Sequence, residues 1–314
     1  MDKIPVHQKK ACQIGQRASF GLAALKVKEK FKDLTIFSAD THTSAGLQRF
    51  SKKYPEYLFD VSIAEQSLVG VASGYALSGG KAIATTFAPF VTMRPYELIR
   101  HCMGYMNSPL TIVGLASGVA FGQLGYTHCC IEDTGIMLSI PSVDIYSPID
   151  PSLIETILNK TFLLKNPTYI RTTGEPGLEA INLETPIEDG SMVYRVIEGT
   201  GNIVLSTGAI TSYAQKAIRA LNEQGSNISL YGINKIRPLN LKGIEKELLE
   251  ADSIYILEEG LTTGLYSHFL RSYPLLAGKS VPLCHPDYFL KPGNYLYMLK
   301  QAKLDLESLK SRIV

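Results

Sequence analysis

A glutamate at a predicted strand-to-helix corner is the residue of this sequence best placed to do chemistry. Residues 60–64 have the pattern of a short strand, and apolar residues recur at helical spacing from Leu68 to Ala76, so Glu65 lies at the corner. Ligands of open parallel sheets bind outside the carboxyl ends of the strands, where this carboxyl group could share or donate a proton. The helix dipole also favours a glutamate in a first turn, by about 0.3–1 kcal/mol, so position alone needs no chemistry.

Two further features could contribute side chains to the same site. The predicted strand 81–87 and the turn after it carry Phe87 and Phe90, which taken alone are interpreted as ordinary core packing. A glycine-rich loop, residues 117–130, reads SGVAFGQLGYTHCC and contains His128. Histidine titrates near neutral pH, but its spacing fits a loop histidine satisfied by the backbone nearly as well. Only the combination of these residues points to a function.

The combination resembles the pyrimidine-binding domain of transketolases, enzymes that use thiamine diphosphate to move a two-carbon ketol unit between sugars. The resemblance implies that Glu65 is the catalytic acid that hydrogen-bonds the ring nitrogen of the cofactor's aminopyrimidine. It also implies that Phe87, Phe90 and Met93 pack on that ring. Met93 stands where a third aromatic residue is common, and its polarizable sulfur can still pack on a ring.

The same resemblance implies a substrate site. GYTH matches a Gly-x-Thr-His element whose histidine, here His128, contacts sugar hydroxyls or relays protons. Arg17, Ser44 and Arg171 fall on positions that bind the phosphate end of sugar substrates, a task suited to guanidinium groups. For each of these three residues alone, a solvated surface role is the alternative.

Two departures from the transketolase pattern bear on the substrate. Leu124 replaces a substrate-contacting aspartate, and Ala116 replaces a substrate-facing histidine. A site that hydrogen-bonds a substrate hydroxyl discriminates strongly through that bond. The loss of two polar groups therefore suggests a donor or acceptor other than the common pentose phosphates.

Strand and helix patterns alternate along the chain and predict an α/β fold of two domains, each a mainly parallel sheet flanked by helices. We predict strands at 35–39, 110–116, 143–146, 169–172, 202–206, 227–231 and 253–257, in addition to the two named above. We predict helices at 11–32, 94–106, 151–164, 213–224 and 241–250, besides the one after Glu65 and one from about residue 131. Glycines, prolines and acids at 173–190 indicate a linker.

The predicted domains are a pyrimidine-binding domain at 1–176, a linker at 177–191 and a second domain at 192–314. The second domain contains TGAI and EEGLTTGLYS, which resemble turns of the transketolase carboxyl-terminal domain. The resemblance thus covers nearly the whole chain.

Composition excludes several classes of protein. A length of 314 residues, with 45% hydrophobic and 19% charged residues, is typical of a soluble globular protein of two domains. A net charge of +2 without a long Lys and Arg cluster argues against a nucleic-acid partner. No signal segment and no run of eighteen apolar residues occurs, so we expect a cytoplasmic protein without a membrane partner. The 5 cysteines show no metal-ligand spacing and are interpreted as reduced packing residues.

One motif is missing from the sequence. Transketolases bind the diphosphate and Mg²⁺ with a Gly-Asp-Gly motif, and no Gly-Asp-Gly occurs here. The resemblance therefore implies a separate amino-terminal transketolase subunit that carries the diphosphate and Mg²⁺ ligands. It further implies an α2β2 heterotetramer that acts on sugars or sugar phosphates.

Three alternatives remain open. The chain could be the β-subunit of a 2-oxo-acid dehydrogenase or a deoxyxylulose-phosphate-synthase-like enzyme, although GYTH favours transketolase over the dehydrogenase. It could also be a non-catalytic scaffolding paralogue, which Leu124 and Ala116 would support.

Overall fold

Largely apolar segments form the central strands of two sheets. LTIFS, TIVGL and IVLST are buried at every position, as expected for strands covered by helices on both faces. The computed structural model describes residues 4–183, 186–188 and 191–313. Within these ranges the chain forms two mainly parallel sheets flanked by helices, which confirms the predicted fold class.

The strands and helices of the described residues are numbered in chain order. The strands are β1 (Leu34–Ser38), β2 (Leu58–Asp60), β3 (Lys81–Phe87), β4 (Thr111–Leu115), β5 (Asp144–Tyr146), β6 (Thr168–Arg171), β7 (Val193–Ile197), β8 (Ile203–Thr207), β9 (Ser229–Ile233), β10 (Lys235–Arg237), β11 (Ile254–Leu257) and β12 (Ser280–Leu283). The α-helices are α1 (Val6–Lys30), α2 (Gln48–Lys53), α3 (Glu65–Leu77), α4 (Ala88–Met93), α5 (Tyr96–Ile99), α6 (Asp133–Leu138), α7 (Ile154–Leu164), α8 (Thr211–Glu223), α9 (Glu245–Glu250), α10 (Leu265–Ser272), α11 (Tyr295–Gln301) and α12 (Leu306–Arg312).

The larger sheet has seven strands in the order β10-β5-β6-β4-β3-β1-β2, and only β10 runs antiparallel to its neighbour. The smaller sheet has five strands in the order β12-β11-β8-β9-β7, with β7 antiparallel. The carboxyl ends of β1, β3 and β4 therefore meet at one edge of the larger sheet. Ligands of parallel sheets bind at such an edge.

Helix α1 is interrupted at Gly15, whose φ of 78° lies in the left-handed region that glycine tolerates. Beyond the break, α1 approaches the loop after β1 very closely. A Cβ at Gly21 would lie only 2.0 Å from the carbonyl oxygen of Gly46, so a side chain there would have to displace the loop. This contact brings the loop that contains Ser44 against Arg17.

Strand β10 joins the two predicted domains. It lies within the predicted second domain, 192–314, but it pairs with β5 of the larger sheet, and Lys235 Nζ lies 2.9 Å from Asp144 Oδ2. The domain boundaries and the linker at 177–191 stay predictions, and residues 184, 185, 189 and 190 of that linker lie outside the described residues. None of the helices in the described ranges has the length and apolar character needed to cross a membrane.

Candidate functional site

The corner before α3 is built by Asp60. Its Oδ1 accepts the backbone N–H of Ser62 at 2.8 Å and that of Asp40 at 3.0 Å. Ser62 has a φ of 59°, a left-handed conformation that is uncommon outside glycine and is held here by these contacts. The predicted strand was wrong for residues 61–64, because β2 ends at Asp60 and the tight corner follows. Helix α3 then begins at Glu65, whose side chain is 6% exposed.

Glu65 forms an ion pair that sequence reasoning missed. Arg94 Nη1 donates to Glu65 Oε1 at 2.6 Å, from a side chain that is 46% exposed. A charge-assisted hydrogen bond of this kind compensates a buried carboxylate. Among the described residues Oε2 accepts no hydrogen bond, so one oxygen of the carboxyl group is free for a ligand. No sequence signal near Arg94 pointed to this pairing.

The predicted aromatic residues and the predicted histidine come together. Strand β3 ends at Phe87, and α4 carries Phe90 with a ring centroid 5.9 Å from that of Phe87. The ring of His128 lies 5.8 Å from Phe87 and 5.4 Å from Phe90, edge-on to both. Phe121, which sequence reasoning did not single out, lies 5.2 Å from Phe87. All four rings are half-buried, so each is partly open to solvent.

Each end of this aromatic cluster is covered by a guanidinium group. Arg94 lies 4.0 Å from the ring centroid of Phe90, and Arg17 lies 4.7 Å from that of Phe121. Cations are attracted to the faces of aromatic rings. Contacts therefore run without a gap from Glu65 through the cluster to Arg17.

Arg17 and Ser44 line a cavity of about 250 Å³ at the far end of the cluster. Arg17 Nη1 donates to the carbonyl oxygen of Ser44 at 3.0 Å. Burial lowers the pKa of Arg17. This arrangement leaves guanidinium donors of Arg17 free to meet an anion in the cavity.

Three other residues have distinct positions. Met93 is 41% exposed at the surface. Leu124 is 52% exposed, so it presents an apolar side chain to solvent. Ala116 is buried at the end of β4 with a φ of 55°, and its N–H donates to Thr172 Oγ1 at 3.2 Å. Of the two departures from the transketolase pattern, Leu124 therefore lies in the loop that leads to His128, and Ala116 lies directly before that loop.

Arg171 does not belong to the site, which corrects the predicted phosphate contact. Its side chain is completely buried, with Nε and Nη2 each 3.0 Å from a carboxylate oxygen of Asp133. Nη2 also donates to the carbonyl oxygen of Glu259 at 3.1 Å. A guanidinium group that is buried and paired with a carboxylate is a structural ion pair, and no substrate phosphate reaches it. The sequence could not reveal this burial.

Metal ligands are not assembled in the described ranges. No group of three or more His, Cys, Asp or Glu side chains there is arranged to hold a metal ion.

Comparison with known proteins gives the family. Residues 13–175 match the family model of the transketolase pyrimidine-binding domain. An apulose-4-phosphate transketolase subunit of Actinobacillus succinogenes is 31% identical over 229 residues, which cover 72% of this chain and 73% of that protein. A Methanocaldococcus jannaschii protein named as a transketolase C-terminal section is 25% identical over 318 aligned positions, covering 96% of this chain and 95% of that one.

Two further similarities concern the architecture. 1-Deoxy-D-xylulose-5-phosphate synthase of Clostridium tetani is 26% identical over 311 residues, which cover 98% of this chain but 50% of the synthase. A solved structure of a split-gene transketolase, described as an inactive β4 tetramer, superposes with a TM-score of 0.83 at 23% identity and covers 96% of this chain and 97% of its own. That structure shares the fold. From the matched domain and the relatives together, the chain belongs to the transketolase family.

Proposed function

We propose that this chain is the carboxyl-terminal subunit of a thiamine-diphosphate-dependent transketolase. Together with a separate subunit that binds the diphosphate and Mg²⁺, it transfers a two-carbon ketol unit between sugars or sugar phosphates. The observation that carries this proposal is the buried carboxyl group of Glu65, which has one oxygen without a hydrogen bond among the described residues and is linked through Arg94 to the paired, half-buried rings of Phe90 and Phe87. Relatives whose names describe a transketolase C-terminal section and a transketolase subunit support it.

The residues present fit the pyrimidine end of this cofactor. A flat, polar heterocycle needs an apolar surface on its face and a hydrogen-bonding group at its ring nitrogen. Phe87 and Phe90 offer the surface, and Oε2 of Glu65 offers the hydrogen bond. For the diphosphate end, no metal-binding group of His, Cys, Asp or Glu is assembled among the described residues, and the Gly-Asp-Gly motif is absent from the sequence. We therefore assign the diphosphate and Mg²⁺ ligands to the partner subunit.

Each residue has a proposed role. Thiamine diphosphate, when bound, supplies a nucleophilic thiazolium carbon that takes up the two-carbon unit. Glu65 holds or shares a proton at the pyrimidine nitrogen, while Phe87 and Phe90 exclude water from that contact, and Met93 covers the outer rim. His128 contacts substrate hydroxyls or relays a proton. Arg17, with the loop of Ser44, binds the phosphate end of the substrate.

A deoxyxylulose-phosphate-synthase-like activity is the second candidate. It is supported by the similarity of nearly the whole chain to half of such a synthase. The two reactions share the cofactor, so the product distinguishes them. Formation of deoxyxylulose phosphate instead of ketol transfer between sugars would favour this candidate.

The proposed assembly is an α2β2 heterotetramer. If the pyrimidine half of each centre lies on this chain and the diphosphate half on another, each centre lies at an interface, and symmetric oligomers then contain two such centres. A structure with this fold is described as an inactive β4 tetramer, which is consistent with self-association of the lone chain without activity. A cytoplasmic location is part of the same proposal.

Calorimetry with thiamine diphosphate and Mg²⁺ tests the proposal. We expect weak or undetectable binding to the purified chain alone, because most polar anchoring of the cofactor lies at its diphosphate. Binding and ketol transfer should appear when the Gly-Asp-Gly partner is added. Tight Mg²⁺-dependent binding to this chain alone would overturn the split enzyme.

The matched variant is Glu65→Gln, which keeps the volume of the side chain but cannot share a proton in the same way. We expect ketol transfer by the complex to fall by about 10²–10⁴-fold, the range for loss of a positioned acid or base. Light scattering should show unchanged assembly. Near-normal turnover at saturating cofactor would remove Glu65 from the proposed role.

A further inference from the structure

The loop that carries His128 is attached to the second predicted domain. We call residues 117–130 the histidine loop. Within the loop, Gly118 and Cys130 form a bridge of two backbone hydrogen bonds, 2.7 and 2.8 Å long, which closes its base. Residues from Glu259 onward contact the loop between Gly118 and Cys130.

Glu259 makes the most buried of these contacts. Its Oε1 accepts the backbone N–H of Val119 at 2.7 Å, and its Oε2 accepts the hydroxyl of Tyr295 at 2.7 Å. The side chain is 2% exposed. Gly118 makes the approach possible, because a Cβ there would lie 2.3 Å from Oε1 of Glu259. A carboxylate that accepts a backbone N–H away from water makes one of the stronger hydrogen bonds in a protein.

Tyr126 makes a second contact, only two residues before His128. Its hydroxyl lies 2.8 Å from Nε2 of His285 and accepts the N–H of Leu290 at 3.1 Å. Its ring centroid lies 4.6 Å from that of Phe289. Tyr126 is thus held by three neighbours from the segment after β12.

A third contact lies at the middle of the loop. The carbonyl oxygen of Gly122 accepts the N–H of Gly293 at 3.1 Å. A Cβ at Gly122 would lie 2.3 Å from Cγ of Met298, so the loop and α11 approach closely. The base, middle and distal part of the histidine loop are therefore all held by the carboxyl-terminal part of the chain.

We propose that Glu259 and the Tyr126–His285 pair are positioning residues that hold the His128 ring against Phe87 and Phe90. Neither contacts the proposed cofactor or substrate surface. They act by fixing the backbone of the histidine loop on both sides of its middle contact. The relevance of this position to turnover rests on the proposed function, but the position itself does not.

Nuclear magnetic resonance of the lone chain, labelled on its histidines, tests the positioning directly. The ring of His128 lies 5.8 Å from that of Phe87 and 5.4 Å from that of Phe90, so the ring currents of both displace its resonance from that of the exposed His7. His128→Asn assigns the signal by removing it. In Glu259→Ala we expect the resonance to move toward that of His7, and amide exchange in 117–130 to become about tenfold faster. Glu259→Gln retains an acceptor for Val119 and should restore most of the shift.

The matched control is Glu258→Ala, which removes an equally buried neighbouring carboxylate that makes no hydrogen bond to the histidine loop. Tyr126→Phe provides a milder test, since it removes only the hydroxyl; the His128 resonance should move in the same direction. If Glu259→Ala does not fold, this variant decides the question.

An unchanged His128 resonance in Tyr126→Phe and in any folded Glu259→Ala would overturn the proposal. An equal change in Glu258→Ala would also overturn it, because the effect would then be general loosening. These spectra need neither cofactor nor partner. Failure of the positioning is therefore distinguishable from failure of the proposed transketolase activity, which the calorimetry measures.

Discussion

At the scale of single residues, the site depends on how a buried carboxyl group is compensated. Glu65 is nearly inaccessible, yet its cation, Arg94, is 46% exposed and also lies over Phe90. Removing one partner from such a pair leaves a charge poorly solvated, whereas removing both can be nearly neutral. The Glu65–Arg94 pair should therefore show strong coupling in stability measurements.

We predict that Arg94→Gln lowers the free energy of unfolding of the lone chain by about 1–2 kcal/mol, a value reduced for the exposure of Arg94. The double variant Glu65→Gln/Arg94→Gln should be less destabilised than the sum of the two single variants. Denaturant unfolding of all four proteins measures the coupling. Additive effects would show that Arg94 does not compensate Glu65.

Several of the residues proposed from the sequence lie near one another in the structure, and other residues next to them were missed. Phe87, Phe90 and His128 are in contact, and Arg94 links Phe90 to Glu65. These four predicted residues could be picked out because strand ends and the loops after them are identifiable from periodicity and glycine content. Arg94 was missed because its ion pair with Glu65 depends on where the two side chains lie in space, which sequence periodicity does not reveal. The phosphate contact predicted for Arg171 was wrong, because Arg171 is buried in an ion pair with Asp133, which lies on a different element.

At the scale of elements, regular patterns were identifiable and context-dependent ones were not. Strand β3 was predicted with its observed bounds, since KAIATTF is bounded by glycines and a proline. Strand β12 contains Pro282, which argues against a strand unless it lies at a sheet edge, as it does here. Strand β10 has only three residues, KIR, and exists because β5 pairs with it. No local pattern reveals such pairings.

The turn between β11 and α10 contains two glutamates that titrate near neutral pH. Burial raises the pKa of Glu258 to about 7 and that of Glu259 to about 7. A carboxyl group with a raised pKa in the folded state contributes stability that is full below its ordinary pKa. That stability is lost as the pH rises through about 7.

We predict that the midpoint of thermal unfolding falls by a few degrees between about pH 6.5 and 8. Burial lowers the pKa of His268 to about 4, which has the opposite effect and acts below the ordinary histidine pKa, so the chosen window excludes it. Scanning calorimetry should show a flatter profile for Glu258→Gln. His268→Gln should match the unmodified chain in this window. A midpoint that rises over it would contradict the assignment.

At the scale of the whole molecule, the two sheets are not independent. Strand β10 completes the larger sheet from within the second predicted domain, and Lys235 is paired with Asp144 where both side chains are 10% exposed. The histidine loop adds the Glu259 contact across the same boundary. The two predicted domains are therefore not expected to separate from each other as independent units.

We predict that cleavage in the predicted linker leaves the molecule in one piece. A protease site inserted after the exposed Gly177 would give fragments 1–177 and 178–314. They should co-elute in size-exclusion chromatography and separate only in denaturant, because an edge strand and buried polar contacts still join them. Lys235→Glu, which places like charges together, should weaken the association. Separate elution of the unmodified fragments would contradict the prediction.

The pairing of β10 with β5 also sets an order of events during synthesis. When β5 and β6 have left the ribosome, the outer edge of β5 has no neighbour, and it stays open until Lys235–Arg237 emerges. An open sheet edge is a template for pairing with another chain. A nascent or truncated product that ends near residue 176 would thus carry every proposed cofactor contact and still expose a site for misassembly. The smallest product that contains all seven strands of the larger sheet extends to Arg237 or beyond.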